Sequence, residues 1–168
     1  MADEIINKVA NSGLITLDLE ESHPHWEVVG FDMADVLWEG LVLKESAFRA
    51  FVKDNDWTSF NGKSVFIHCS TDAIIPTWAY MLLATALEPF ASLCIIGSEE
   101  DLQLALWRKF IEGLDLSIYT DQRVIVKGCS DTLIPETVYL ELSTKLKPVV
   151  RTLMFGEPCS TVPIYKRK

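Results

Sequence analysis

The stretch STDAIIPTWAYMLLATALEP, residues 70–89, decides the fold because the chain repeats it as SDTLIPETVYLELSTKLKP at residues 130–148. A shift of 59 residues aligns the two copies without a gap, and 13 of the 49 positions in 49–97 recur in 108–156. The matched pairs include Pro76/Pro135 and Tyr80/Tyr139. Self-similarity at a fixed period predicts one structural unit that occurs twice.

The first copy, residues 46–97, is predicted as helix, strand, helix, strand. Its first helix runs from Ser46 to Lys53, and SVFIH at 64–68 is a short buried strand. The missing N–H of Pro76 suits the first turn of the second helix, and Pro89 ends that helix near Leu87. The last strand covers 92–97.

The second copy, residues 98–156, repeats this order. Ser98 and Asp101 resemble a capping box at the start of a helix that reaches about Gly113. A strand is predicted at 123–128, an amphipathic helix at 135–147 and a final strand at 149–155. Tyr139, Leu142 and Leu146 form the inward face of the second of these helices.

Short apolar strands that alternate with helices predict parallel strands with right-handed crossovers. We therefore predict an α/β fold: a single three-layer domain over residues 1–168, with an internally duplicated β-α-β-α core and a mostly parallel sheet. Residues 157–168 form a C-terminal tail that we expect to fold back over the edge of the sheet.

Residues 1–45 precede the repeat and are predicted to add a helix and edge strands to the sheet. Extended pieces are expected near 15–19 and 27–31, as antiparallel edge strands. Helices are expected over Asp3–Ala10 and near Asp32–Trp38.

The net charge of −9 argues against a nucleic-acid partner, which would need a basic face. The acidic opening has no signal-peptide pattern, and four scattered cysteines are not a disulfide framework, so a cytoplasmic location is predicted. Residues 73–97 carry one charge, Glu88, yet prolines interrupt them and their copy at 132–156 is charged. No membrane span is predicted.

The helix 76–87 is apolar nearly all round, whereas its copy has a polar side. A helix that is apolar on every side is predicted to be buried on every side. Either the N-terminal segment covers it or a second subunit does, and the second alternative predicts a homodimer through helix 76–87.

Three cysteines precede a serine and follow predicted strands: Cys69, Cys129 and Cys159. In an open parallel sheet, ligands bind at the carboxyl ends of the strands. Thiolates select zinc or iron–sulfur chemistry, so these three cysteines are candidate ligands of a soft metal or cluster. His68 is a weaker candidate, because it alternates with Cys69 along the strand.

Two other interpretations of these cysteines stay open. Helix N-termini after Cys69 and Cys129 favour a thiolate, which would suit a thiol-dependent enzyme or a redox pair. Alternatively the thiols are buried in turns and the serine hydroxyls bond local backbone. Cys94 lies within a strand and is predicted to be a core residue.

Further polar residues surround the predicted turns. Asp72 and its copy Asp131 are either acids beside the thiols or Asx-turn residues. Tyr80 and Tyr139 are predicted to be core tyrosines whose hydroxyls anchor the loop. The histidines of His23-Pro24-His25 could chelate a metal, although solvated histidines are the simpler interpretation.

No nucleotide-binding or hydrolase fingerprint is present, so catalytic residues stay unassigned. The segments IPTWAYMLLATALEPFA, KGCSDTLIPETVYLEL and GEPCSTVPIYKRK resemble an uncharacterised bacterial family, a domain of unknown function found chiefly in Bacteroidetes. The resemblance runs nearly the full length. It implies a small bacterial cytoplasmic protein and carries over neither an activity nor site residues.

Overall fold

The computed structural model describes residues 13–22, 24–128 and 134–168. The chain divides into two compact units, and each contains one sheet. We name His25–Leu106 the central unit, and Met1–Pro24 together with Trp107–Lys168 the terminal unit. The predicted helix over Asp3–Ala10 lies outside the described residues.

The central unit contains a three-stranded parallel sheet in the order β2-β3-β4. Its strands are β2 (Val28–Asp32), β3 (Ser64–His68) and β4 (Leu93–Ile96). Its helices are α2 (Glu45–Asp54) and α3 (Thr77–Leu87), with 3-10 helices at Met33–Val36 and Trp57–Phe60.

The core of the central unit lies on one face of this sheet. Val65 and Ile67 of β3 are buried there, because alternate residues of a strand share a face. Phe48 of α2 and Leu83 of α3 belong to the same cluster of buried residues. The indole N–H of Trp57 donates to the carbonyl of Val52 at 2.9 Å, so this buried ring keeps a hydrogen-bond partner.

The terminal unit contains a four-stranded sheet in the order β1-β5-β6-β7. The first three strands are parallel: β1 (Leu14–Asp18), β5 (Arg123–Lys127) and β6 (Thr152–Glu157). The last, β7 (Ser160–Lys166), is antiparallel to β6. Its helices are α1 (Leu19–Ser22), α5 (Glu136–Leu146), a 3-10 helix at Leu116–Tyr119 and the second half of α4 (Glu99–Glu112).

Several elements have the same bounds after a shift of 59 residues. β3 coincides with β5, α3 with α5, and the 3-10 helix Trp57–Phe60 with Leu116–Tyr119. Each long helix follows a proline whose carbonyl accepts a hydrogen bond at 2.9 Å, from Ala79 to Pro76 and from Val138 to Pro135. We call residues 59 apart equivalent.

The local predictions agree closely with the observed elements. The capping box is confirmed, because the Ser98 N–H donates to Asp101 at 2.8 Å and the Asp101 N–H donates back to the Ser98 hydroxyl at 3.2 Å. Leu142 and Leu146 are buried on α5, as the amphipathic pattern predicted. The mixed α/β class with mostly parallel strands is confirmed, while the three-layer, single-domain arrangement stays a prediction.

Three expectations differ from the structure. The strands form two sheets, and the early strands β1 and β2 lie at sheet edges but pair in parallel rather than antiparallel. Most of the predicted tail at 157–168 is β7, a regular strand. The first two differences arise because strand partners are set by contacts between residues far apart in sequence. The third is local, since β6 and β7 form a hairpin whose turn is Pro158-Cys159.

The helix α3 is not buried on every side. Ala79, Leu83 and Leu87 are buried, but Met81 is 65% exposed on the opposite side. Within the chain, α3 is therefore buried on one side only, and burial of the other side by a second subunit stays a prediction.

Candidate functional site

The cysteines predicted as ligands occupy different parts of the chain. Cys69 is half-buried directly after β3 in the central unit, and Cys159 is exposed in the turn between β6 and β7 of the terminal unit. Cys129 lies outside the described residues. Cys94 is half-buried and packs against the central core, which confirms its predicted place, and burial raises the pKa of its thiol.

No group of three or more His, Cys, Asp and Glu side chains within the described ranges lies close enough to hold a metal ion. The set of Cys69, Cys129 and Cys159 includes an undescribed residue, so zinc or iron–sulfur binding there stays a prediction. The ring of His68 stacks on that of Phe66, with centroids 5.4 Å apart, whereas Cys69 packs against the core. His23 is also outside the described residues.

A polar network joins the carboxyl ends of β2 and β3. Asp32 Oδ1 accepts hydrogen bonds from the backbone N–H of Ser70 at 3.0 Å and of Ala34 at 2.9 Å. The Ser70 hydroxyl is the main cause that lowers the pKa of Asp32, and the charge of His68 contributes in the same direction. The serine after Cys69 thus bonds a carboxylate of the neighbouring strand.

Sequence reasoning missed Asp32, although a signal was present. β1 reads LITLD and β2 reads VVGFD, so both end in an aspartate that precedes a buried residue. Asp18 Oδ1 accepts from the N–H groups of Glu20 and Glu21 at 3.0 and 3.3 Å. Two strands that end identically predict a shared role for this aspartate.

Asp18 forms an ion pair with Lys127 Nζ at 3.0 Å. Burial alone would raise the pKa of Asp18, but Lys127 and the backbone N–H donors outweigh it and lower the pKa. Lys127 is equivalent to His68, and each lies opposite the strand-end aspartate in its parallel pair. In both units, an acidic and a basic residue therefore lie side by side at the carboxyl ends of two neighbouring strands.

The tyrosines of the long helices reach the strand-to-helix turns. The Tyr139 hydroxyl donates to the Gly128 carbonyl at 2.8 Å, which confirms its predicted anchoring role. The residue equivalent to Gly128 is Cys69, whose Sγ lies 3.4 Å from the Thr71 hydroxyl. Burial, and secondly the nearby Cys69, raise the pKa of Tyr80. The central unit thus has a cysteine side chain at the position where the terminal unit has a glycine.

Asp72 lies beside a surface cavity of about 470 Å³ in the central unit. The cavity is lined mostly by apolar residues of two loops, among them Leu41, Val42 and Ile74. Ile74 is 92% exposed, which makes this rim one apolar surface of the unit. Asp131 is not described, so the Asx-turn interpretation of the pair stays a prediction.

A second apolar surface lies between α3 and β4, and we name it the α3–β4 face. It surrounds a groove of about 310 Å³ lined by Thr77, Tyr80, Met81 and Ala84 of α3 and by Cys94, Ile95 and Ile96 of β4. Ile96 is 60% exposed at its rim. β4 has no second strand beside it in the described part of the chain.

The terminal unit covers the corresponding edge. β6 begins at the residue equivalent to the start of β4, and β7 pairs with it along its whole length. Leu140 of α5, equivalent to Met81, is 68% exposed. The two units therefore share the helix and the strand and differ in the added strand.

Comparison with known proteins identifies the family. A model described as "Protein of unknown function (DUF2480)" matches residues 3–167, so the chain belongs to this family. No curated protein and no solved structure matches the chain. Among the helices of the described ranges, none is long and apolar enough to cross a membrane.

Proposed function

The chain belongs to a family of proteins of unknown function. We propose that it is a non-catalytic protein-interaction module. Its α3–β4 face accepts an extended strand from a partner chain, which adds to the sheet beside β4. Strand addition supplies affinity through main-chain hydrogen bonds and specificity through pockets for alternate side chains.

One observation carries this proposal: the edge of β6 is covered by β7, while the edge of β4 has no strand beside it in the described residues. An open edge offers unpaired N–H and C=O groups, which proteins normally cover or blunt with charge. The exposed residues beside this edge, Met81 and Ile96, are apolar instead. Phe155, the equivalent of Ile96, pairs with β7 and is half-buried, so a strand added beside β4 would cover part of Ile96.

Internal duplication is part of the proposal. It is supported by the equal bounds of β3 and β5 and of α3 and α5 after the shift of 59. Buried residues also recur, since Leu83 and Leu142 are both fully buried. If the two units descend from one ancestral unit, β7 shows how such a unit can cover the edge of its sheet with an added strand.

A non-catalytic role is supported by the strand-end network. The Asp32 carboxylate bonds the backbone of Ser70 and Ala34, and the Asp18 carboxylate bonds Lys127 and its own helix turn. Carboxylates occupied in this way stabilise loops and have fewer lone pairs for a substrate.

The chain itself provides a probe for this proposal, the capped peptide STVPIY of residues 160–165 from β7. We expect the peptide to shift backbone amide signals of β4 and α3 in NMR spectra of the ¹⁵N-labelled full-length protein. Met81→Gln should weaken binding about tenfold, because a polar group would replace an apolar residue that lines the groove. Leu140→Gln is the matched control and should leave binding unchanged.

Loss of binding in Leu140→Gln rather than Met81→Gln would contradict the proposal, because the peptide would then exchange with β7. Absence of shifts in β4 and α3 would also contradict it. Light scattering of the protein alone tests the other occupant, a second copy bound through helix 76–87. If the protein forms a dimer and Met81→Gln dissociates it, the occupant of the α3–β4 face is a second copy of the chain and not a partner strand.

The cysteine hypotheses have tests of their own. Near-stoichiometric zinc or iron in protein purified without a metal-affinity tag, lost in Cys129→Ser, would support a soft-metal site. Metal-free and fully folded protein would refute that site. Alkylation of Cys69 near neutral pH no faster than that of a model thiol would refute a reactive thiolate.

A further inference from the structure

We infer that the partner strand is an apolar segment flanked by basic residues, an inference that rests on the proposed function. Two observations support this inference. Charged residues lie at the two ends of the β4 edge, and a strand covers the equivalent edge of the terminal unit.

The first end lies where β4 begins. In the terminal unit, Lys147 Nζ at the end of α5 lies 5.7 Å from the ring centroid of Tyr165 in β7. A side chain at this helix end therefore reaches the strand that is added to the sheet. Its equivalent in the central unit is Glu88, which is exposed. A strand beside β4 would meet a carboxylate where β7 meets an ammonium group.

The second end lies where β4 leads into α4. Glu99, Glu100 and Asp101 are all exposed in the first turn of this helix. The N–H and hydroxyl of Ser98 donate to the Asp101 carboxylate and lower its pKa. This end therefore remains negatively charged in neutral and mildly acidic solution.

Between these ends the edge is apolar, with Ile96 60% exposed and Met81 beside it. An apolar strand with Lys or Arg at its ends complements this pattern. A second copy fits less well, because antiparallel pairing of two β4 strands would bring Glu88 of one copy toward Glu99 of the other. The net charge of −9 also favours a basic partner over a second copy.

β7 already has half of this pattern. Val162 and Ile164 precede Lys166 and Arg167, and Arg167 donates to the Pro148 carbonyl at 3.1 Å at the start of β6. The equivalent of Pro148 is Pro89, next to Glu88. The peptide STVPIYKRK, residues 160–168, is therefore the natural probe for the basic flank.

The experiment titrates ¹⁵N-labelled full-length protein with STVPIYKRK and, separately, with the charge-reversed peptide STVPIYEEE. We expect the basic peptide to bind about tenfold more tightly. Glu88→Lys should largely abolish this preference, whereas Glu112→Lys makes the same charge change on the terminal unit and should preserve it. Raising the salt concentration from about 0.05 to about 0.5 M should also reduce the preference.

The outcomes separate the two proposals. If both peptides bind the α3–β4 face equally and Met81→Gln weakens both, the charge inference is wrong and the proposed function stands. If neither peptide shifts β4 or α3, the proposed function itself fails. A preference that survives Glu88→Lys would overturn the assignment of the basic flank to this end of β4.

Discussion

The central and terminal units are built from the same elements and differ in how each sheet ends. Both have a strand that ends in aspartate, a proline-initiated helix and a tyrosine directed at the strand-to-helix turn. The terminal unit adds β7 to β6, and the central unit leaves the edge of β4 without a strand in its described residues. The difference lies at the edge where we propose that the central unit binds a partner strand.

The turns differ as well. Gly128 leaves space for the Tyr139 hydroxyl, because a Cβ at that position would overlap it. The central unit has Cys69 there, and its Tyr80 must accommodate a side chain. A single equivalent position thus provides a backbone anchor in one unit and a thiol in the other.

The largest expected effect comes from matched truncations of the two cores. Leu83→Ala and Leu142→Ala each delete a fully buried side chain from the equivalent position of α3 and α5. We expect each to lower the free energy of unfolding by about 2–5 kcal/mol, since each leaves a cavity. Urea unfolding followed by circular dichroism measures both.

The exposed residues two positions earlier, on the other side of each helix, provide the control for these truncations. Met81→Ala and Leu140→Ala remove side chains that are mostly in solvent, so each should change stability by about 0.5 kcal/mol or less. A cost for Leu83→Ala no larger than that for Met81→Ala would mean that the equivalent helices are not packed alike.

A smaller effect is expected at the turn that distinguishes the units. Gly128→Ala should cost about 1–3 kcal/mol, because the added methyl group displaces the Tyr139 hydroxyl. Tyr139→Phe combined with Gly128→Ala should recover part of this loss, since it removes the hydroxyl oxygen, the nearest of the three Tyr139 atoms that a Cβ would overlap. Thermal unfolding compares the variants, and Cys69→Ala serves as the control with no new atoms. If Gly128→Ala and Cys69→Ala lower the stability by the same amount, the two turns do not differ in the way described above.

The smallest effect concerns the strand-end aspartates, which the two units share. Asp18→Asn and Asp32→Asn should each cost about 1 kcal/mol at neutral pH, because charge-assisted hydrogen bonds are weakened. Both carboxyl pKa values lie below the ordinary 3.8 in the folded protein. Their contribution is therefore present above pH 3.8 and lost as the pH falls through the folded values.

Urea unfolding at neutral pH and near pH 3 measures this dependence. The difference between wild type and each variant should shrink at the lower pH, where the wild-type carboxylates become protonated. A difference that grows as the pH falls would contradict the lowered pKa values. Glu21→Gln is the control, since its side chain is exposed near Asp18.

Much of the local structure follows from residue order. Pro76 and Pro135 mark helix starts, and Ser98 with Asp101 caps α4, because these effects act within one helix turn. The strand at 64–68 was predicted with its observed bounds, since a short apolar run between turn residues leaves few alternatives.

The candidate site was harder to predict. The hydrogen bond from Ser70 to Asp32 joins residues 38 apart, and only the pairing of β2 with β3 brings them together. The apolar composition of α3 did not indicate which side of the helix packs on the core of its own chain, because that depends on where the sheet lies.

The sequence by itself determined the α/β class, the approximate bounds of most helices and strands, and the positions where strands lead into helices. These depend on hydrophobic period, proline and capping, which act over a few residues. The tertiary structure alone decided that the strands divide between two sheets and that the edge of β4 stays open among the described residues. Strand partners are chosen by packing between distant segments, so no local pattern contains that information.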